Sequence, residues 1–265
     1  MSDWILPHKY NDIEAIKKTI SEQASQIAAL IMEPVINHEP VEGFLEGIRQ
    51  LTSQNNIVLI FDEMKTGFRL DLGGAEKYFN LTADLAVFAK ALSNGFPISV
   101  LAGKRALMEQ LEKEDCFFSA SYATEKASIK AALKTIEILQ REEPIKHIWK
   151  MGEALKQGSR RILEKYNLTP FIDIVGFAPM THFIFSTYQD ITANEIKSFI
   201  QQECAKRKVL FVGYHHTSFA HKKEDIDYTL EAYDQVFSSL SRALKDKSLK
   251  AKISGKPISA FGVRR

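Results

Sequence analysis

Two ionisable residues each stand directly after an apolar run. Asp62 follows the run at residues 57–61, and Lys90 follows the run at residues 84–89. Continuous runs of this length are typical of strands buried on both faces of a largely parallel sheet. In such sheets ligands bind beyond the carboxyl ends of the strands, and consecutive parallel strands are usually neighbours. We therefore expect the Asp62 carboxylate and the Lys90 amine to emerge at the same edge of one sheet.

A carboxylate and an amine at one sheet edge meet the chemical needs of pyridoxal phosphate. The lysine amine condenses with the cofactor's aldehyde, and an amine substrate later displaces it. The carboxylate keeps the pyridine nitrogen protonated, so that the ring accepts the electrons released when a substrate bond breaks. The freed amine can then carry a proton between substrate and cofactor carbons. The alternatives are a solvated lysine and an Asp-Glu turn or helix cap, and spacing alone leaves them open.

The order of the apolar runs predicts an α/β large domain. Further runs lie at residues 27–32 and 98–102, and residues 41–54 carry apolar side chains at helical spacing between the first two runs. This order is that of a βαβ unit, and helices are expected at 105–113 and 128–140.

The second half of the chain has a different pattern. It predicts helices at 145–166, 194–206 and 224–244, with strands at 172–175, 182–186 and 209–212. This mixed order indicates a small α+β domain. The predicted boundaries are 1–143 for a partial cofactor-binding domain, 144–244 for the small domain and 245–265 for a basic tail.

Composition excludes several classes of protein. The net charge of +2, with 45% apolar and 26% charged residues, is typical of a soluble globular protein. We see no apolar run of roughly 18 residues and no secretory signal. Cys116 and Cys204 fit no metal or redox spacing. We expect a reduced, cytoplasmic protein with no membrane or nucleic-acid partner and a solvated tail, since the basic residues after Arg242 lack aromatic interleaving.

Three long stretches together carry a family resemblance. They are residues 28–35 (AALIMEPV), 61–69 (FDEMKTGFR) and 83–98 (ADLAVFAKALSNGFPI). Their sequence, order and separation resemble the class III, fold-type I aminotransferases, within them the glutamate-1-semialdehyde 2,1-aminomutase-like branch. The resemblance continues at 121–125, 213–216 and 218–221. It implies a fold-type I large-domain sheet, pyridoxal phosphate, amino transfer on a small amino or oxo compound, and a homodimer.

The resemblance also assigns roles to single residues. Lys90 matches the Schiff-base lysine and Asp62 the partner of the ring nitrogen. Met64 stands where the family usually has a valine packed on the ring. Ser121 stands where the family has a threonine that reaches the cofactor phosphate of the neighbouring subunit. Glu33 matches a position near the cofactor without a defined role.

Other matching residues are expected to be structural or remain open. Arg69 is expected to support the loop after Asp62. His215, His216 and His221 also resemble family positions, and an ordinary polar role is the alternative for each.

The chain departs from the family at its beginning. The match starts near Tyr10, so we expect the chain to lack the family's first strands and the Ser-Gly-Thr turn that holds the phosphate. The absence of those strands would leave exposed edges and apolar faces. Three hypotheses follow: an aminotransferase or aminomutase, half of a split enzyme completed by a separate N-terminal polypeptide, or an inactive remnant acting as an interaction module. The first is our prediction, and the substrate stays open.

Overall fold

The structure, a computed structural model, describes residues 4–113, 116–117, 119 and 125–258. The chain divides into two compact units, Met1–Ile145 and Lys146–Arg265. The helices are α1 (Ile13–Gln23), α2 (Phe44–Gln54), α3 (Gly74–Phe79), α4 (Arg105–Met108), α5 (Lys126–Glu142), α6 (Pro144–Lys165), α7 (Ala193–Lys206), α8 (Lys223–Lys245) and α9 (Leu249–Lys252). The strands are β1 (Ala29–Met32), β2 (Val58–Asp62), β3 (Leu85–Phe88), β4 (Val100–Gly103), β5 (Ile172–Val175), β6 (Met180–Phe185) and β7 (Tyr214–His216).

The described strands of the first unit form one mixed sheet. Their order is β1-β2-β3-β4; the first three are parallel and β4 runs antiparallel to β3. The prediction of an α/β fold with a mostly parallel sheet is confirmed. The helix predicted at 105–113 is α4 followed by a 3₁₀ turn over Glu109–Glu112.

Helices α1 and α2 cover one face of β1 and β2, whereas β4 is exposed on both faces. The side chain of Asp12 accepts a hydrogen bond from the Ala15 N–H at 3.1 Å and so caps α1. Burial of each large apolar side chain stabilises the unit by about 1.5–3 kcal/mol. The buried members of this core are Ile16, Ile20, Phe44, Leu45, Ile48, Ile57, Leu59, Phe61, Leu81 and Ala83.

The opposite face of the same sheet stays uncovered by the described residues. We call it the open face. Strand register places nine residues on it, and each is at least partly exposed: Ala29, Ile31, Val58, Ile60, Asp62, Leu85, Val87, Leu101 and Gly103. Ile31 is 66% exposed and Leu101 is 40% exposed. The expectation that these strands are buried on both faces is therefore wrong for the described residues, because α1 and α2 pack on one side only.

A buried carboxylate joins the strands at the end of β3 remote from Lys90. Asp84 accepts hydrogen bonds from the Leu59 N–H at 2.7 Å, from Lys104 at 2.6 Å and from Arg49 at 3.0 Å. Burial opposes ionisation of Asp84, but the hydrogen bonds from Lys104, Leu59 and Arg49 outweigh it and hold the pKa of Asp84 below its usual value. This network links α2, β2, β3 and the residue after β4.

The second unit has an antiparallel sheet in the described part of the chain, with the order β5-β6-β7. Its core includes side chains of α6, α7 and α8 around that sheet. The largest fully buried members are Tyr233, Phe237, Leu163, Leu168, Ile172, Ile174, Met180 and Ile196.

Two expectations for the second unit are corrected. Residues 209–212, predicted as a strand, are irregular chain, and β6 pairs instead with the residues that follow, Tyr214–His216, in addition to β5. The apolar run misled because the Val209 N–H donates to the Cys204 carbonyl and so closes the end of α7, while Leu210 is 90% exposed. The predicted solvated tail folds in part, since Leu249 is fully buried in the core.

Among the described residues, none of the helices combines the length and the apolar character needed to cross a membrane.

Candidate functional site

Asp62 ends β2 on the open face and is its one polar side chain. Strand register places it beside Val87 of β3. Its Oδ1 accepts a hydrogen bond from the Met64 N–H at 3.0 Å, which fixes the carboxylate's direction. Asp62 is half-buried, so this acid is held beside apolar side chains and still accessible from one side.

Lys90 follows β3 at the same edge. It lies three residues beyond Val87, so it is at most about 10 Å along the strand axis from the level of Asp62. Its φ of +47° is in the left-handed region, which costs a non-glycine residue about 1–2 kcal/mol. The Lys90 carbonyl accepts from the Asn94 N–H at 3.2 Å, so a tight turn takes up this conformation. The side chain is exposed, and its amine is accessible.

A third charged residue follows β1 at this edge. Glu33 forms an ion pair with Lys65 at 2.6 Å, and this pair joins the chain after β1 to the chain after β2. The Tyr10 hydroxyl donates to the Pro34 carbonyl at 2.6 Å. Burial, and then the Glu33 carboxylate, raise the pKa of Tyr10, which therefore stays protonated as a donor.

The loop after Asp62 packs closely on the end of β3. A Cβ at Gly67 would lie 2.7 Å from both the Glu63 carbonyl oxygen and Phe88 Cδ1, so only glycine fits there. The rings of Phe68 and Phe88 are 5.7 Å apart. Arg69, expected to support this loop, is half-buried, and burial lowers its pKa. The loop that bears Met64 is thus fixed to the strand that precedes Lys90.

Sequence reasoning missed a buried acid in this loop. Glu63 is only 1% exposed, and its carboxyl group accepts from the Thr66 hydroxyl and from the Glu76 N–H at 3.0 Å. The Thr66 hydroxyl at i+3 and the glycine pair at 73–74 were visible in the sequence. Neither shows that the carboxyl group is buried, because its contact at Glu76 is 13 residues away.

The remaining predicted residues are not all placed. Ser121 lies outside the described residues. His215 is buried in the second unit, with Thr181 Oγ1 2.9 Å from Nδ1 and Tyr233 OH 2.8 Å from Nε2. Burial, helped by neighbouring histidines, lowers the pKa of His215 to about 3, so this imidazole is neutral.

The other two histidines also lie in the second unit. His221 Nδ1 is 3.0 Å from the Ser218 nitrogen, which donates to it. His216 is half-buried on β7. No group of three or more metal-binding side chains comes together in the part of the chain that the structure describes.

The residues at this edge fit part of pyridoxal phosphate. The apolar open face suits an aromatic ring, Asp62 is its one carboxylate, and Lys90 supplies an accessible amine at the next strand end. The phosphate partner predicted from the sequence, Ser121, is outside the described residues. A ring that carries an aldehyde and a basic nitrogen would match this pair of groups, with the Lys90 amine for the aldehyde and the Asp62 carboxylate for the nitrogen.

Comparisons with known proteins agree with this chemistry. The sequence model of the Aminotransferase class-III family matches residues 7–212. A glutamate-1-semialdehyde 2,1-aminomutase of Methanosphaera stadtmanae is 33% identical over 88% of this chain and 58% of its own length. A 3-aminobutyryl-CoA aminotransferase of Cloacimonas acidaminovorans is 29% identical over 89% of this chain and 58% of its own length.

Solved structures show the same fold. A Sphingopyxis protein, solved as its pyridoxal phosphate internal aldimine, matches 94% of this chain and 59% of its own, with a TM-score of 0.81 and 24% identity. A Pseudomonas aeruginosa glutamate-1-semialdehyde aminomutase variant matches 88% of this chain and 56% of its own, with a TM-score of 0.76 and 20% identity.

The chain spans just under three-fifths of the length of these relatives. The match nevertheless covers most of the chain, and it includes both strand ends that carry Asp62 and Lys90. The resemblance stated from sequence motifs is thereby confirmed, and the chain belongs to the class-III aminotransferase family.

Proposed function

We propose that this chain carries the cofactor lysine and the ring-nitrogen carboxylate of a pyridoxal-phosphate-dependent aminotransferase or 2,1-aminomutase. The observation that supports this most directly is the position of Asp62 and Lys90. Asp62 ends β2 and Lys90 follows the adjacent parallel strand β3 at the same edge of the sheet, and Asp62 is the one polar side chain among the nine described residues of the open face.

Each proposed residue has a separate physical task. When bound, the cofactor supplies an electron sink for the substrate carbon. Asp62, held by the Met64 N–H, keeps a proton at the ring nitrogen. The Lys90 amine binds the cofactor and then carries a proton to and from the substrate carbon. Met64 offers an apolar side chain for the cofactor ring next to Asp62. The Ser121 hydroxyl is proposed to donate a hydrogen bond to the cofactor phosphate of the neighbouring subunit.

The proposed substrate is a small amino or oxo compound. Among similar proteins, one acts as a 2,1-aminomutase and another as an aminotransferase on 3-aminobutyryl-CoA, by their names. Transfer of the amino group between molecules and its shift within one molecule need the same lysine and carboxylate. We further propose a cytoplasmic homodimer, with residues 1–143 as the cofactor domain, 144–244 as a small domain and 245–265 as its basic extension.

A second candidate is that activity requires a further polypeptide segment over the open face. The observation that favours it is the exposure of that face, including Ile31 at 66% and Leu101 at 40%. Parallel sheets of this kind are covered on both faces in stable domains. Without that cover, the cofactor ring would be supported on one side only. An inactive remnant would likewise give no visible band in the experiment described next.

The first experiment is an absorption spectrum of the purified chain with added pyridoxal phosphate. We expect a visible band that borohydride traps and that Lys90→Ala abolishes. Lys130→Ala is the matched control, because Lys130 is an exposed lysine of the same unit on α5. Peptide mapping after trapping should place the reduced cofactor on Lys90.

The outcomes separate the candidates. A band in the wild type that persists in Lys90→Ala would refute the proposed lysine. No band in the wild type would mean that the chain alone does not hold the cofactor. In that case, a band that returns when the unmatched two-fifths of a relative is supplied as a second polypeptide would support the second candidate.

A further inference from the structure

A buried acid stands directly after the proposed ring-nitrogen partner. Glu63 directly follows Asp62, the last residue of β2. It is 1% exposed. Burying a carboxyl group is unfavourable unless hydrogen bonds satisfy it, so the partners of this group show what it holds in place.

The Glu63 carboxyl group connects two separated parts of the chain. Its Oε2 accepts from the Thr66 hydroxyl, and its Oε1 accepts from the Glu76 N–H at 3.0 Å at the start of α3. A Cβ at Gly74 would lie 2.7 Å from Oε1, and Gly74 has a φ of +70°. The backbone at Gly74 is therefore fitted against the carboxyl group, and no larger residue takes this position without moving it.

The backbone of Glu63 is fixed as well. Its N–H donates to the Val87 carbonyl at 2.9 Å, and its own carbonyl accepts from the Gly67 N–H at 2.8 Å. The next residue, Met64, donates its N–H to Asp62 Oδ1 at 3.0 Å. The direction of that donor depends on the conformation of Glu63, which lies between the two residues.

We propose that Glu63 is a positioning residue that fixes the Asp62 carboxylate for the ring nitrogen. It acts through the Met64 N–H and makes no contact with the cofactor itself. The proposal rests on the proposed function, because Asp62 is taken there as the partner of the ring nitrogen. A purely structural role for Glu63 would stabilise the loop and leave the direction of Asp62 unchanged.

The test compares Glu63→Gln with Glu76→Gln in the full chain. Glu63→Gln keeps the size of the side chain, and its amide oxygen can still accept from the Glu76 N–H. Its NH₂ group can only donate, so the Thr66 hydroxyl must turn and accept, and both contacts lose the carboxyl group as acceptor. Glu76→Gln is the control, because Glu76 lies in α3 and its backbone N–H still donates to Glu63 after the change. Its carboxyl group accepts from the Ala83 N–H at 2.6 Å, whereas Asp62 accepts from the Met64 N–H.

The first readout is amide hydrogen exchange in the cofactor-free chain. We expect Glu63→Gln to speed exchange of the Met64 and Gly67 N–H groups about tenfold or more, because both hydrogen bonds that the carboxyl group accepts are weakened. Glu76→Gln should speed exchange at Ala83 and leave Met64 unchanged. Unchanged exchange at Met64 in Glu63→Gln would overturn the proposal.

The second readout is cofactor binding against pH. We expect Glu63→Gln to weaken pyridoxal phosphate binding about tenfold or more and to move the pH midpoint of the visible band in the same direction as Asp62→Asn does. Glu76→Gln should leave that midpoint unchanged. A midpoint in Glu63→Gln equal to that of the wild type would show that Glu63 only stabilises the loop.

These readouts keep the two proposals distinguishable. If the wild-type chain gives no visible band, the proposed function fails, and the exchange readout still decides whether Glu63 holds Asp62. If Glu63→Gln does not fold, Thr66→Val repeats the test, because it removes one donor to Glu63 and no charge. Its Met64 exchange should then rise in the same direction, and no rise would overturn the proposal.

Discussion

Mild acid is expected to destabilise the second unit through a single buried histidine. The His215 ring lies between Thr181 and Tyr233, and burial lowers its pKa to about 3. In an unfolded chain the pKa of a histidine is about 6.5. His182, His216 and His221 lower the pKa of His215 further, because a positive charge on His215 would be repelled by charge on these neighbouring rings.

The sign and size follow from proton linkage. Between about pH 3 and 6.5 the unfolded chain binds a proton at His215 and the native unit does not, so the unfolding free energy falls as the pH falls through that window. The slope approaches about 1.4 kcal/mol per pH unit. Lowering the pH from 7 to 5 should therefore cost about 2 kcal/mol at this one site. Because pH 5 lies well above the pKa of His215 in the native unit, the loss of unfolding free energy is set mainly by the pKa of His215 in the unfolded chain.

The assay needs a probe that reports the second unit alone. Trp149 on α6 is half-buried, and Trp4 in the first unit is 93% exposed. In a Trp4→Phe background, urea unfolding followed by Trp149 fluorescence gives the unfolding free energy at pH 7 and pH 5. The loss should be about 2 kcal/mol larger with His215 present than in His215→Gln, which cannot titrate.

The comparison is internal to each variant, because His215→Gln also removes hydrogen bonds and lowers stability at both pH values. His38→Gln, an exposed histidine of the first unit, should keep the full acid sensitivity. Equal losses between pH 7 and 5 in the wild type and in His215→Gln would refute the reasoning.

Three further predictions concern the first unit. Asp84→Asn should destabilise it by about 1.5–3 kcal/mol, because hydrogen bonds to a charged group are weakened, and should speed exchange of the Leu59 N–H that donates to Asp84. Asp71→Asn, in the loop before α3, should do neither. Gly67→Ala should cost about 1–3 kcal/mol in urea unfolding, because its Cβ meets backbone and a ring, whereas Gly47→Ala meets only the flexible Ile13 side chain and should be neutral or stabilising; equal effects would contradict the close-approach argument. Ile31→Lys should change the unfolding free energy by less than about 0.5 kcal/mol and reduce binding of an apolar dye to the open face. Leu30→Lys, on the face that α1 and α2 cover, should instead unfold the sheet.

The strand ends were predictable because their signal is local. The apolar stretches at residues 57–61 and 85–89 are continuous, and each is followed by a proposed site residue. The helix between the first two runs shows its apolar face in the spacing of Phe44, Leu45 and Ile48. The prediction of burial on both faces failed for a nonlocal reason. A continuous apolar run does not distinguish a strand that is covered on both faces from one that is covered on one face. Only the packing of α1 and α2 shows which side chains, such as Ile31, remain exposed.

Two other features depend on contacts that no short window of sequence contains. Val209 to Val212 is as apolar as a strand, but the end of α7 takes up its first N–H, and pairing with β6 starts only at Tyr214. Leu249 sits among lysines in a segment that looks solvated. Its full burial comes from the core of the second unit, which the pattern around it does not reveal.

The placement of Glu63 shows why a candidate site is only partly visible in a sequence. The roles proposed for Asp62 and Lys90 rest on their own side chains, so residue type and strand position indicate them and the family resemblance assigns them. Glu63 acts through what its carboxyl group contacts, and those contacts come from Thr66 and from Glu76, 13 residues away. A residue that fixes another can therefore be found only after the loop is folded. For the same reason, replacing Glu63 should change the hydrogen exchange of the Met64 N–H. Met64 is neither of the two residues that donate to the Glu63 carboxyl group, so this effect would come through the folded loop.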